Sequence, residues 1–401
     1  MKTKVLLPRK ILIFVFVCLL QMTIVKPTFS QSQKMVFPDW LSTSGSQNFF
    51  HKSVTKTDPY GNVYIVGATI NGSGNNDILL VKYNRSGVLQ WTQQYNGNAN
   101  LEDMGVGLYI DGSGNVYVVG TTSTSTTNSD IITIKYNSSG TQQWLSTFNA
   151  SGNTFDSGAD IIVDGSGNVY VTGGGYNSSL NTDILTIKYN SSGTQQWAKY
   201  FDYLNLNGTG VKIQLQDTLV VVSGICQYNT NSYYYGVLQY GQVSGNQINV
   251  SISGSSSTNI DQINDMVIDA SGYIYIAGAS PVTGQGYDFT LIKLNPNLGI
   301  AWERTYNGNN NLDDIARGVR VDASGNVYVT GYSTTTSQGK NIITHKYNSS
   351  GTLQWTETYN NDLDGDDEAY AMAMDNSGNI YVTGYTSTEI DQFDVFTIKY
   401  N

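Results

Sequence analysis

A ten-residue phrase repeats along the chain and constrains its fold more than any other feature. The clearest copy is DGSGNVYVTG at residues 164–173. The first residue of each copy is Asp58, Asp111, Asp164, Asp217, Asp269, Asp322 or Asp375, which sets spacings of 53, 53, 53, 52, 53 and 53 residues. Such a regular period indicates one small structural unit that recurs seven times.

Each copy predicts a tight turn followed by a β-strand. Asp164 can accept hydrogen bonds from the backbone two residues on, and Gly167 supplies the positive φ that the turn needs. Residues 169–171, Val-Tyr-Val, then have the composition of a strand. A second turn, Asn-Ser-Ser-Gly at 190–193, and the apolar runs around it complete the period. Each period therefore predicts four antiparallel strands, a to d, with the repeated phrase at the a–b turn.

Seven units of four strands predict an all-β protein, a seven-bladed β-propeller. The last unit stops at its third strand, residues 396–400. Near the other end, residues 39–43 match the fourth strand that contains Trp144. We therefore expect the N-terminal strand to complete the last blade, with Trp40 in the same sheet as Tyr400. Closing the ring in this way would hide two exposed sheet edges.

The first thirty residues have the pattern of a secretory signal peptide. Four basic residues precede an apolar run at 11–20, and the small residues Thr28 and Ser30 permit cleavage before Gln31. The predicted domains are thus a signal peptide over 1–30 and the propeller over 31–401. We expect an exported monomer, extracellular, periplasmic or on the cell surface, that is not inserted in a membrane after cleavage.

The charge balance narrows the choice of partners. The formal net charge is −10, and removal of the five basic residues within 1–30 leaves −15. Nucleic acids and anionic membranes are therefore poor partners, whereas divalent cations, basic proteins and neutral sugars are permitted. The processed chain keeps only Cys226, so it has no internal disulfide and must depend on a large core.

Three stretches resemble a known repeat family. Residues 156–173, 314–331 and 367–384 match well the pattern D-x-[AG]-x-x-[VI]-x-[VI]-D-x-S-G-N-[VI]-Y-[VI]-T-G, which resembles the bacterial SBBP β-propeller repeat. The resemblance extends over six of the seven units, because the unit of Asp217 lacks the Ser-Gly-Asn and the tryptophan. It implies an exported bacterial propeller, but no particular activity and no catalytic residues.

Most of the other repeated residues are expected to be structural. Aromatic side chains at one position of the repeat predict packing between blades, and a lysine in a packed sheet needs a partner or a route to solvent. The repeated tryptophans are Trp91, Trp144, Trp197, Trp302 and Trp355. The uniform a–b and c–d turns share one face of the propeller. Binding is expected on the other face, where the b–c and d–a loops vary.

A set of carboxylates on that variable face admits two interpretations. Asp103, Asp156, Asp261, Asp314 and Asp367 each lie eight residues before a turn Asp, at the start of strand a. Each could cap its own d–a turn, or together they could form a cation site or a funnel for basic ligands at the channel mouth. The nearby Asp362, Asp364, Asp366 and Glu368 make the densest group, and their oxygens suit calcium.

The irregular fourth unit carries a second candidate site. Tyr228, Tyr233, Tyr234 and Tyr235 lie beside amide side chains between its strands b and c. They could bind a glycan on their aromatic faces or pack a distorted blade.

Catalytic motifs are scarce in the sequence. The chain has two histidines, His51 and His345, and no Gly-x-Ser-x-Gly, His-x-x-x-His or cysteine pair. His345 replaces the isoleucine of other units, and Cys226 lies in an apolar run, so both are expected to be buried. We favour a non-catalytic binding propeller for a glycan or protein. The alternatives are a carbohydrate-active hydrolase or lyase that uses the channel-mouth carboxylates, and a structural module of a surface assembly.

Overall fold

The computed structural model describes residues 50–401 except 151–153, 178–180, 231, 255–260, 309, 362–364 and 390–391. These residues form seven antiparallel sheets, and the first strand of each later sheet packs against the sheet before it. The predicted all-β, seven-bladed β-propeller is confirmed. The signal peptide, its cleavage site and the closing strand with Trp40 lie outside the described residues and stay predictions.

The strands of each blade are neighbours in chain order. Blade 1 contains β1 Phe50–Thr57, β2 Val63–Ile70, β3 Asn76–Tyr83 and β4 Leu89–Tyr95. Blade 2 contains β5 Asp103–Ile110, β6 Val116–Ser125, β7 Asn128–Tyr136 and β8 Gln142–Phe148. Blade 3 contains β9 Ser157–Val163, β10 Val169–Tyr176, β11 Thr182–Tyr189 and β12 Gln195–Phe201. Blade 4 contains β13 Gly208–Gln216, β14 Leu219–Asn229, β15 Ser232–Gly241 and β16 Gln247–Ser253.

The remaining blades follow the same order. Blade 5 contains β17 Gln262–Ile268, β18 Ile274–Pro281, β19 Tyr287–Leu294 and β20 Ile300–Tyr306. Blade 6 contains β21 Asp314–Val321, β22 Val327–Thr335, β23 Gly339–Tyr347 and β24 Leu353–Tyr359. Blade 7 contributes β25 Asp367–Met374, β26 Ile380–Glu389 and β27 Gln392–Tyr400 from the described residues. Within these residues we find no helix with the length and apolar character to cross a membrane.

The repeated phrase folds as the turn that its sequence predicts. Asp164 Oδ1 accepts hydrogen bonds from the backbone N–H groups of Ser166 and Asn168, both at 2.9 Å, and Gly167 has a φ of +79°. Asp164 Oδ2 accepts from the Asn168 amide at 2.8 Å and from the Tyr170 hydroxyl at 3.0 Å. Burial opposes ionisation of Asp164, but these hydrogen bonds hold its pKa below the usual value.

A glycine near the middle of strand b lets strand a approach closely. In blade 3 the register of β9 against β10 shifts beside Gly173, and a Cβ at that position would lie 1.9 Å from the Ser157 carbonyl oxygen. The glycines at the same position of blades 2 and 4–7 would meet a strand a carbonyl within 1.8–2.4 Å. Each of these blades therefore needs glycine at this position.

Lysine and tryptophan side chains link blades 1, 3 and 5 to the blade that follows each of them. In blade 1, Lys82 Nζ and Trp91 Nε1 donate to the Ser138 carbonyl of blade 2, at 3.1 and 3.2 Å. Lys82 also lies 5.0 Å from the centre of the Tyr64 ring, an attractive cation–π distance. Blades 3 and 5 repeat both hydrogen bonds with the following blade. The predicted structural role of these residues is confirmed.

Candidate functional site

The carboxylates at the start of strand a are buried turn caps. Their side chains are 0–1% exposed in Asp103, Asp156, Asp261, Asp314 and Asp367. Asp156 Oδ2 accepts from the Ala150 N–H at 2.6 Å, and its Oδ1 accepts from the Tyr176 N–H at 2.9 Å. Asp103, Asp314 and Asp367 likewise accept from a backbone N–H six residues earlier. For these four residues the capping interpretation is confirmed.

Burial is the main influence on the pKa of these capping carboxyls. It raises the pKa of Asp103, Asp156 and Asp314, while their hydrogen bonds oppose the rise. The like charges that add to it are Asp77, Asp130 and Asp313, none of which is one of the five carboxylates at the start of strand a. Mutual repulsion among those five is therefore not the main cause of these shifts.

The densest acidic stretch is only partly described. Asp362 and Asp364 lie outside the described residues. Asp366 Oδ1 accepts from the Lys340 N–H at 3.0 Å, so this carboxylate is hydrogen-bonded to the backbone of blade 6. In the part of the chain that is described, no three His, Cys, Asp or Glu side chains form a group that could hold a metal ion. The described members of the predicted ligand set thus form no such group, and calcium binding stays a prediction.

Glu368 belongs to a mixed cluster between blades 6 and 7. Its carboxylate, 4% exposed, pairs with Lys340 Nζ and lies 3.9 Å from Arg317 Nη2. Both cations also lie over the Tyr332 ring, at 4.8 and 5.6 Å from its centre. Burial and the neighbouring Glu368 charge raise the pKa of Tyr385. A carboxylate paired with two cations is a weaker metal ligand than the sequence suggests.

The four candidate tyrosines divide between surface and core. Tyr235 is 5% exposed and packs with Val221 and Val237 in the core, so it does not face a surface ligand. Tyr233 is half-buried. Tyr228 is 44% exposed and stacks on Tyr234, with ring centres 4.5 Å apart and an interplanar angle of 15°. The surface part of the predicted site is therefore a stacked pair.

The stacked pair is held by its surroundings on blade 4. A Cβ at Gly254 would lie 2.4 Å from Tyr234 Cδ1, so the backbone there closely supports the ring. Desolvation raises the pKa of Tyr234, with Tyr228, Tyr203 and Asp261 adding to the rise. Tyr203 itself stacks on Phe201, with an interplanar angle of 13°. Aromatic side chains of the blade 3–4 connection thus lie close to the pair.

Neither His345 nor Cys226 has the surroundings of a catalytic group. His345 is 0% exposed, its Nδ1 lies 2.8 Å from Thr356 Oγ1, and burial lowers its pKa to about 4. Cys226 is 1% exposed, and burial raises its pKa to about 12. The predicted burial of both residues is confirmed. The His51 side chain lies outside the described part of the structure.

The sequence analysis missed a group of charges at the central channel. Lys56, Asp160, Lys212 and Asp265 come from strands a of four different blades and line one cavity of about 220 Å³. Arg320, from a fifth strand a, pairs with Asp265 at 2.7 Å. The available signal was a charged residue in strand a of each of these units. Within a single unit, such a residue looks like an isolated exception to the repeat.

The fold defines the protein as a β-propeller, and comparison with known proteins agrees. Residues 358–390 match the model of the SBBP β-propeller repeat. No curated protein sequence matches the chain.

Solved structures show similarity at the level of the fold. One is a polysaccharide lyase of family PL25, an ulvan lyase, with a TM-score of 0.52 and 11% identity over 88% of this chain and 95% of that one. Another is the quinohemoprotein alcohol dehydrogenase from Comamonas testosteroni, with a TM-score of 0.51 and 10% identity over 84% of this chain and 65% of that one. At such identities the likeness supports the propeller architecture alone.

Proposed function

We propose that the protein is an exported, non-catalytic binding propeller, and that blade 4 binds a neutral glycan through Tyr228 and Tyr234. The observation that carries this proposal is the stacked tyrosine pair on the variable loop face, in which Tyr228 is exposed and Tyr234 is half-buried. An aromatic ring offers a flat apolar surface for the CH groups of a sugar, and nearby polar groups can bond its hydroxyls. Asn229 and Thr230, both exposed, are adjacent polar groups.

The rigidity of the pair favours binding over simple packing. Tyr234 is supported by Gly254 and by Tyr228, so little side-chain freedom is left to lose when a ligand binds. The tyrosine nearest to solvent, Tyr228, keeps 44% of its surface exposed although an apolar core lies just below it. A role limited to packing would not require that exposure.

A glycan array followed by calorimetry tests this proposal on the purified protein. Tyr228→Ala should weaken binding of the array ligands at least tenfold, about 1.4 kcal/mol. Tyr60→Ala is the matched control, because Tyr60 is 73% exposed but lies at an a–b turn on the opposite face. Unchanged binding by Tyr228→Ala, or equal loss in both variants, would overturn the proposal. An empty array with capture of a defined protein would favour a protein ligand instead.

A carbohydrate-active hydrolase or lyase is the second candidate. What favours it is the cluster of Glu368, Lys340 and Arg317, whose residue types do not recur in the other units. The capping carboxylates predicted for this role are held by backbone N–H groups and are less suited to it. Release of unsaturated or reducing ends from an array glycan, abolished in Glu368→Gln, would support an enzyme. Absence of both glycan binding and turnover would leave the structural-module alternative.

A further inference from the structure

Charged side chains from four inner strands line the channel cavity. Two are cations, Lys56 of β1 and Lys212 of β13, and two are carboxylates, Asp160 of β9 and Asp265 of β17. Asp265 is paired with Arg320 of β21, which is not part of the lining. Asp160 is then the lining carboxylate left to face both lysines, in a chain whose formal charge is −10.

Both carboxylates already have structural partners in the next blade. Asp160 Oδ2 accepts from the Ile213 N–H of blade 4 at 3.1 Å. Asp265 Oδ2 accepts from the Val319 N–H of blade 6 at 3.1 Å and pairs with Arg320. Asp160 and Asp265 occupy the same position of their repeats, four residues before the turn Asp. They therefore join neighbouring inner strands.

The two lysines have no such partner. Among the described residues, neither Lys56 nor Lys212 forms an ion pair within 4 Å. Lys56 is exposed towards the cavity, and desolvation lowers its pKa, while Asp160 opposes the shift and Arg320 and Lys212 add to it. Burial raises the pKa of Asp160, although both lysines favour its ionised form. With Asp265 paired to Arg320, Asp160 is thus left to offset both lysines.

The cavity has the size of a small ligand site. Its volume of about 220 Å³ is below the roughly 300–1,000 Å³ of sites for drug-sized molecules. Gln214 and Thr57 line it beside the lysines and can add neutral hydrogen bonds. It lies near the a–b turn ends of strands a, whereas Tyr228 lies at the b–c end of blade 4. The two sites are therefore at opposite faces.

We propose that the channel binds a small dianion, an inorganic oxyanion or a short dicarboxylate, between Lys56 and Lys212. The dianion would balance the charges of the two lysines, and its attraction to them would be stronger in the partly enclosed cavity than in bulk water. This site is independent of the proposed glycan site, because none of its residues belongs to blade 4's loop face.

Calorimetry and thermal unfolding with sulfate and with succinate test the channel site, with chloride at matched ionic strength as reference. Each effective dianion should raise the melting temperature in a saturable way, with half-saturation on the order of 1 mM. Sulfate alone would identify an oxyanion site, and succinate alone a dicarboxylate site. No saturable effect beyond chloride from either dianion would overturn the proposal.

Three lysine variants locate the binding. Lys56→Gln and Lys212→Gln should each raise the dissociation constant at least tenfold. Lys199→Gln, with the same change of charge on the outer strand β12, should leave it unchanged. Because desolvation is the largest influence on the Lys56 ammonium group, Lys56→Gln should keep or raise the melting temperature without ligand. A fall of that temperature, or equal losses of affinity in all three variants, would show that the lysines only balance Asp160.

Discussion

Blades 3 and 4 are each hydrogen-bonded to the blade that follows, but through different side chains. In blade 3, Lys188 Nζ and Trp197 Nε1 donate to the Gln242 carbonyl in the c–d turn of blade 4, at 2.8 and 3.3 Å. In blade 4, the paired positions hold Gln239 and Asn249. Gln239 Nε2 donates to the Pro296 carbonyl in the c–d turn of blade 5 at 2.7 Å. In both blades the acceptor is a backbone carbonyl in the c–d turn of the next blade. The donors are a lysine and a tryptophan in blade 3 and a glutamine in blade 4.

The amide version forms a buried network. Gln239, 0% exposed, also donates to Gln216 Oε1 at 2.6 Å and accepts from Asn249 Nδ2 at 2.7 Å. Gln216 Nε2 in turn donates to the Gly272 carbonyl at 2.7 Å. A hydrogen bond to the next blade is thus kept in blade 4, although the Tyr–Lys–Trp set of the other units is absent there.

Blade 4 also differs at its other end. Its strands β14 and β15 contain 11 and 10 residues, against 8 and 8 in β10 and β11 of blade 3. The extension carries Tyr228 and Tyr234 onto the loop face. Blade 4, which departs most from the repeat, is therefore the blade that carries the stacked Tyr228–Tyr234 pair.

The largest predicted effect concerns the strand b glycine that blades 3 and 4 share. Gly173→Ala would place its Cβ 1.9 Å from the Ser157 carbonyl oxygen, and Gly224→Ala would place it 2.4 Å from that of Thr209. Backbone must move in both cases, so each should lose more than about 3 kcal/mol of unfolding free energy, measured by urea denaturation.

Gly165→Ala is the control in blade 3, because no atom lies within 4 Å of its Cβ position. It should change stability by less than about 0.5 kcal/mol. A well-tolerated Gly224→Ala would mean that blade 4 does not share the close strand a approach of blade 3.

The second prediction concerns His345, where blade 6 departs from the isoleucine found at Ile187 of blade 3. Below pH 6.5 the unfolded chain binds a proton at His345, whereas the folded chain does so only near pH 4. Unfolding is therefore favoured as the pH falls through this window, and the loss approaches about 3 kcal/mol.

Urea denaturation of wild type and His345→Ile at pH 7.5 and 4.5 measures this contribution. The wild type should lose about 3 kcal/mol more than the variant on acidification. The subtraction is needed because burial raises the pKa of Asp183 to about 6, which acts in the opposite direction. Equal acid losses in the two proteins would contradict a buried neutral histidine.

The third prediction compares the two kinds of link directly. Gln239→Met removes the donor to Gln216 Oε1 and the nearer of two donors to the Pro296 carbonyl, at a cost of about 2 kcal/mol. Trp197→Phe keeps an aromatic ring but loses one hydrogen bond, and Lys188 still donates to the same carbonyl. Its cost in the same urea assay should be about 1 kcal/mol.

Gln196→Met, at an exposed glutamine of blade 3, controls for the change of side chain and should cost less than about 0.5 kcal/mol. If Trp197→Phe proved costlier than Gln239→Met, the regular link would depend on the tryptophan N–H more than its geometry indicates.

Prediction from sequence succeeded where the interactions are local. The turn at Asp164 is complete within six residues, so its hydrogen bonds and the φ of Gly167 follow from the residue types alone. The number of blades follows from counting such turns, and the burial of His345 follows from the isoleucine of its sister units. The same reasoning could not separate Tyr235 from Tyr234, because adjacent residues of a strand point to opposite faces and only the neighbouring blade decides which face is covered.

By itself, the sequence determined the repeat, the turns, the strands and hence the seven-bladed architecture, because these depend on contacts within about fifty residues. Tertiary structure alone decided which charges meet. Lys56 and Arg320 are 264 positions apart in the chain, yet the Arg320 charge helps to lower the pKa of Lys56 because the propeller brings their inner strands together. Likewise Glu368 pairs with Lys340 and Arg317 across two blades. Charge–charge energies depend on distance and solvent exposure, and both are properties of the closed ring rather than of any one repeat.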